Sequence, residues 1–185
     1  MANKVLAVND GCVANGLAQA EWNLEYDPTP NVALGKSMSA RFRICHQFVQ
    51  GGQRLTCWPD ATSLLQIPYN GTFARLGLFW EFDRAKESHA QLNGTKPSHP
   101  PNGKLDGYAA LLHSQEYRAY WPDVQSSRIL FVVPSEQRYR NMAQTFRDHP
   151  VAKVVRFAVD SEVTAEDVLT AKIWRTISGE RRSIL

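Results

Sequence analysis

Two short stretches decide how this chain is read: Trp58-Pro59-Asp60, and Leu76-Gly77-Leu78-Phe79-Trp80-Glu81-Phe82-Asp83-Arg84. The first opens an apolar segment, and the second closes another with Glu-x-Asp-Arg. Both segments have the length and the β-branched and aromatic content of strands. Residues 55–67 and 72–82 are predicted to pair as a hairpin about Asn70-Gly71, because both turn positions of a two-residue loop need positive φ. Such a hairpin carries Asp60 toward Glu81. Two carboxylates held on a sheet suit Mg²⁺, which takes one or two of them and completes its octahedron with water and phosphate oxygens. Asp83 shares the face of Glu81 by the period of two, and Arg84 takes the opposite face. Bland roles also fit: Asp60 as a turn residue at a strand start, and Glu81 on a solvated face.

Outward from the hairpin, residues 4–22 carry Val5, Val8, Cys12, Val13, Leu17 and Ala20 at three- and four-residue steps, a pattern that predicts an amphipathic helix. Residues 22–26 alternate as a strand before Pro28. After the hairpin, residues 86–102 are rich in Ser, His, Asn, Gly and Pro, as a loop would be. Residues 103–121 repeat apolar positions through Leu105, Tyr108, Ala109 and Leu112, predicting a long helix stopped by Pro122. Arg128-Ile129-Leu130-Phe131-Val132-Val133-Pro134 is a continuous apolar run, the signature of a buried parallel strand. Ser135 is placed to cap a helix running to about Asp148, residues 154–159 form the last strand, and Thr164 is placed to cap a final helix. The exposed-looking tail follows at Gly179-Glu180-Arg181-Arg182. The order predicts one α/β domain over residues 1–185: a mixed sheet of antiparallel hairpin plus parallel strands, flanked by helices on both faces.

Composition sets wider bounds. Of 185 residues, 43% are hydrophobic, enough for a core, and the net charge of +3 permits an acidic partner without demanding one. Cys12, Cys45 and Cys57 form no C-x-x-C pair, which argues against a disulfide framework or a cysteine-rich zinc site and fits a reducing cytoplasm. The N-terminus reaches Asp10 too soon for a signal-peptide core, and no apolar run is long enough to span a bilayer. A soluble cytoplasmic protein without a membrane partner is expected.

Residues 28–59 contain no acid but include Lys36, Arg41, Arg43 and Arg54. Such a run could follow a DNA backbone, with counterion release driving affinity, or could simply solvate a loop. The five histidines, His46, His89, His99, His113 and His149, show no paired metal-ligand spacing. Ser135 lacks nucleophile-elbow glycines, and there is no glycine-rich phosphate loop.

Asp60 and Glu81, with this element order, resemble the restriction-endonuclease-like PD-(D/E)xK nuclease core. The resemblance implies that the two acids bind Mg²⁺ or Mn²⁺ and that a lysine polarises the attacking water. Here the position two after Glu81 holds Asp83 in place of that lysine, which assigns Asp83 to assisting the metal. Lys104, with Tyr108 four residues on and so on the same helical face, is placed to supply the missing nitrogen, with Lys86 as second candidate. Over nearly its whole length the chain is similar to the C-terminal region of the bacterial replication-relaxation family. The matching blocks are residues 3–10, Trp58-Pro59-Asp60, Trp80-Glu81-Phe82-Asp83-Arg84, Lys104-Leu105-Asp106-Gly107-Tyr108 and residues 129–138. Full members of that family usually begin with a winged-helix domain, and this chain starts after it. The resemblance implies a metal-dependent DNA endonuclease linked to plasmid replication or relaxation in a mobile-element setting. Asp60, Glu81, Asp83 and Lys104 would form the catalytic set, and Lys36, Arg41, Arg43, Arg54, Arg84 and Tyr108 would contact DNA. A separate DNA-binding subunit could supply recognition, and oligomerisation is left open. The alternative is a catalytically inactive nuclease fold that binds DNA or docks proteins.

Overall fold

The computed structural model describes residues 19–22, 46–57, 59–83, 103–119 and 121–185. A seven-stranded sheet organises them. Its strands are β1 (Gln19–Trp22), β4 (Ala61–Tyr69), β5 (Thr72–Phe82), β6 (Ser126–Val133), β7 (Val155–Val159), β8 (Trp174–Arg175) and β9 (Arg181–Arg182), neighbours in that order. A separate two-stranded sheet pairs β2 (His46–Gln50) with β3 (Gln53–Cys57). The α-helices among the described residues are α1 (Gly103–Ser114) and α2 (Glu136–Phe146).

The predicted hairpin is present. β4 and β5 pair antiparallel from Ala61 opposite Trp80 to Tyr69 opposite Thr72. At the turn Asn70 has φ of 48° and Gly71 of 75°, the left-handed pair that a two-residue loop needs to match the twist of its strands. The buried strand is present too: β6 lies parallel to both β5 and β7, so its continuous apolar run is covered on two sides.

Alternation along these strands divides the core in two. Leu64, Phe79, Ile129, Phe131, Val133, Val155 and Phe157 face one side, where α1 adds Leu105, Tyr108 and Leu111 and α2 adds Tyr139, Met142, Ala143 and Phe146. Leu65, Leu76, Leu78, Trp80, Leu130, Val132 and Ala158 face the other, against Val163, Val168, Leu169, Ile173 and Trp174. Among the described residues, both α-helices therefore cover one face, and a non-helical segment covers the second. The expectation of flanking helices is met by these residues on one face, while on the other they supply a non-helical segment.

Four further expectations change. Residues 19–22, predicted to end the first helix, are strand β1, and the rest of that helix and residues 23–26 lie outside the described residues. The first hairpin limb does not run unbroken from residue 55, because Pro59 and Asp60 separate β3 from β4 and each joins a different sheet. The long helix stops at Ser114: Gln115 turns into the left-handed region at φ 56°, and a 3-10 turn follows at Glu116–Ala119. The helix expected after Thr164 does not propagate. Thr164 does cap, accepting the Asp167 N–H at 3.2 Å, and Val168 N–H bonds the Thr164 carbonyl at 3.0 Å. Further on, the carbonyls that would continue the helix are taken elsewhere. Trp174 Nε1 donates to the Val168 carbonyl at 2.8 Å, while Ile184 and Leu185 N–H both donate to that of Leu169 at 3.0 Å. Among the described residues, no helix is long and apolar enough to cross a membrane.

Candidate functional site

The sheet brings the acids of the opening stretches together at the end of β5. Asp60 stands just before β4, with its N–H donating to the Trp80 carbonyl at 2.9 Å and its Oδ2 accepting the Phe82 N–H at 2.8 Å. It thus grips β5 on both sides of Glu81. The odd positions of β5 face α1, so Glu81 points into the helix-covered side as Phe79 does.

Glu81 is 1% exposed. Two side chains of α1, one turn apart, close on its carboxylate: Tyr108 Oη donates to Oε1 at 2.6 Å, and Lys104 Nζ forms an ion pair with Oε2. The Lys104 side chain is 35% exposed, so it forms the wet side of a pair whose acid is dry. Burial pushes the Glu81 carboxyl up from 4.5 to about 7, with Lys104 and the Tyr108 bond opposing the rise and the charge of Asp60 adding to it. Burial and the neighbouring Glu81 charge push the Tyr108 phenol up as well, so it stays a donor. The helix after the hairpin thus delivers the Lys104 nitrogen to Glu81, where it is engaged in the ion pair.

Asp83 has another partner. It leaves β5 with its N–H bonded to the Val132 carbonyl at 3.0 Å, and its carboxylate meets the guanidinium of Arg138 on α2 through both oxygens, one from Nε and one from Nη2 at 3.1 Å. The Arg138 N–H is in turn accepted by Ser135 Oγ at 3.2 Å, so the predicted helix cap also fixes the start of this clamp. Sequence reasoning did not assign Arg138 a site role. Its only signal was an arginine in the first turn of a helix that follows the strand next to β5, where an aspartate is the usual choice.

The residues that the family resemblance implies for DNA contact distribute unevenly. Tyr108 is 0% exposed and reaches Glu81 from within the core. Arg54 is exposed on β3, opposite Val49. Lys36, Arg41, Arg43, Arg84 and Lys86, with Trp58, His89 and His99, lie outside the described residues. His149 Nε2 meets Asp106 Oδ1 at 3.1 Å and His46 Nδ1 meets Glu116 Oε2 at 2.7 Å, each tying one element to another.

Among the described residues, no three His, Cys, Asp or Glu side chains gather as a cation site. The charge of Asp60 raises the cost of ionising Glu81, so the two carboxylates are electrostatically coupled, and both Glu81 oxygens are engaged, Oε1 by Tyr108 and Oε2 by Lys104. Asp83 is held in the same way, with Arg138 on both of its oxygens. In comparisons with known proteins, no family model, no curated protein and no solved structure matches the chain.

Proposed function

We propose that this domain hydrolyses phosphodiester bonds of DNA at the Asp60–Glu81–Lys104 cluster, in the manner of a PD-(D/E)xK nuclease whose lysine comes from a helix. The observation that carries this reading is the Lys104–Glu81 ion pair beside Asp60, with the lysine on the solvent side. Mg²⁺ or Mn²⁺ held by Asp60 and Glu81 would supply Lewis-acid charge for a phosphoryl oxygen. Lys104 holds a second positive charge at the same mouth, where it can orient a phosphate oxygen or a water. Tyr108 fixes the Glu81 carboxylate by donating to it, and Arg138 binds Asp83 through both carboxylate oxygens. The resemblance of its sequence blocks to the replication-relaxation family would make plasmid DNA the substrate.

Purified protein incubated with supercoiled and linear DNA and Mg²⁺ or Mn²⁺ is expected to nick or cut. D60A should lower the rate roughly a hundredfold or more, and K104A should lower it with DNA affinity kept. Intact DNA under both metals, with neither ion bound in calorimetry, sinks the proposal. A second reading, a nuclease fold that binds DNA or a protein without cutting, is favoured by the complete burial of Glu81. In that case D60A and K104A change stability and leave DNA affinity alone.

A further inference from the structure

The opposite end of the parallel strands holds a different concavity. There a cleft of about 670 Å³ is lined by Arg147, Lys153, Arg156 and Arg182, together with the hydroxyl-bearing Thr176 and Ser178. Four separate parts of the fold deliver the cations. Arg147 is the C-cap of α2, Lys153 sits in the 3-10 turn Ala152–Val154, Arg156 is on β7 and Arg182 is on β9. A cation at a helix C-terminus is ordinary, which accounts for Arg147 alone. Convergence of the other three on one hollow is a property of the tertiary fold.

The charges in this cleft are poorly compensated. No carboxylate stands in its lining, and among the described residues none lies within ion-pair distance of Arg147, Lys153 or Arg156. Glu180 Oε2 accepts from Arg182 at 2.8 Å, with both side chains more than half exposed. Arg156 is 9% exposed, and its Nη1 is locked by the carbonyls of Lys153 at 2.9 Å and Val155 at 2.7 Å. Burial, Arg128 and Arg182 press against its ionisation and outweigh the support of Glu180, so an anion seated here would relieve repulsion among fixed charges. Thr176 Oγ1 and Ser178 Oγ, 2.9 Å apart, add neutral hydrogen-bonding groups at the same wall. Guanidinium groups with a lysine and hydroxyls match the oxygens of a phosphoryl group, which guanidinium binds in a planar, two-point way.

We propose that this cleft is a phosphate-binding site, taking a phosphoryl group borne either by a nucleic-acid backbone or by a small phosphorylated molecule. It lies apart from the carboxylate cluster and does not depend on cleavage there. The test uses the full chain at low salt with three probes: a short labelled single strand of DNA, the corresponding duplex, and inorganic pyrophosphate. R147E and K153E change exposed side chains and should fold as the wild type does, as judged by circular dichroism. R118E, an equal charge change on the 3-10 turn after α1, serves as the control outside the cleft.

Wild-type protein is expected to bind at least one probe, R147E and K153E each to weaken that binding by about tenfold or more, and R118E to leave it nearly unchanged. Tight oligonucleotide binding that pyrophosphate displaces only at millimolar concentration identifies a backbone ligand. Tight pyrophosphate binding identifies a small phosphorylated one. Absence of binding to all three probes overturns the proposal, and so does equal weakening by R118E. Pyrophosphate binding measured without added metal reports the cleft alone, and DNA cleavage with Mg²⁺ reports the carboxylate cluster, so the two sites can fail separately.

Discussion

At the scale of single residues, Glu81 is where burial and charge conflict most. A carboxyl raised from 4.5 to about 7 keeps a proton in the fold that the unfolded chain has lost over that interval. Since the native state binds more protons there, its stability is fully present below about 4.5, falls as pH rises, and levels off above about 7. A shift of that size corresponds to roughly 3 kcal/mol, the order of magnitude that one fully buried group can contribute. E81Q removes the titration, so its urea-unfolding free energy should lose this part of the decline between pH 5 and pH 8. Equal slopes for wild type and E81Q would show that the ion pair with Lys104 already holds the carboxylate ionised. Half of this site was legible in sequence and half was not, for a local reason. Glu81 and Lys104 each lie in a periodic element, so hairpin pairing and a following helix suffice to bring them together. The Asp83–Arg138 clamp depends on where α2 begins over the sheet, and period alone does not carry that information. The bare count of three acids near one hairpin therefore suggests a carboxylate cluster and gives no sign that Arg138 engages both oxygens of Asp83.

At the scale of elements, the hairpin was legible and the end of α1 was not. Asn70-Gly71 encodes its own geometry through positive φ at both positions. The apolar period of residues 103–121, by contrast, runs on past the real end of α1, because Tyr117 and Trp121 still point into the core from a 3-10 turn and the loop after it. Trp121 explains this departure from the helix. Its ring lies across β5 at Gly77, where an added Cβ would sit 2.7 Å from Cζ3 and 3.0 Å from Cε3. The ring also packs against Phe79 with centroids 5.6 Å apart, so it has little room to retreat. G77A is therefore expected to destabilise the fold by about 1–3 kcal/mol through overpacking, with the circular-dichroism spectrum unchanged. A G77A protein as stable in urea as the wild type would mean that Trp121 moves freely, and the contact could not then be what sets the end of α1. The same reading explains why Leu55 to Cys57 joined β2 and not the hairpin. Pro59 lacks an N–H for a continuous ladder, so the chain changes sheets there and Asp60 restarts the pairing.

At the scale of the whole molecule, residues 163–174 close the second face of the sheet among the described residues without a helix, and Trp174 is the anchor of that closure. Its side chain is 0% exposed and meets Trp80 edge-on at 5.8 Å, while its Nε1–H ties down the Val168 carbonyl. The neighbouring Arg175 binds both oxygens of Glu162, at 2.6 and 2.9 Å, and also reaches Glu136 at the start of α2, joining this segment to the helix side. Sequence pattern could not reveal such a layer, because an irregular segment that buries Val168, Leu169, Ile173 and Trp174 has no period to detect. If the segment is an integral layer, W174A should cost about 3–5 kcal/mol, combining a large cavity with an unpaired Val168 carbonyl. Loss on that scale should lower the midpoint of a single transition in which circular dichroism and the fluorescence of the remaining tryptophans coincide. A segment that merely lies on the sheet would instead detach first. W174A would then make residues 163–185 sensitive to protease at concentrations of urea where the sheet remains folded, and the two signals would separate. Coincident transitions would place the non-helical face on the same footing as the two helices, as one of the layers without which the sheet that positions Asp60 and Glu81 does not stand.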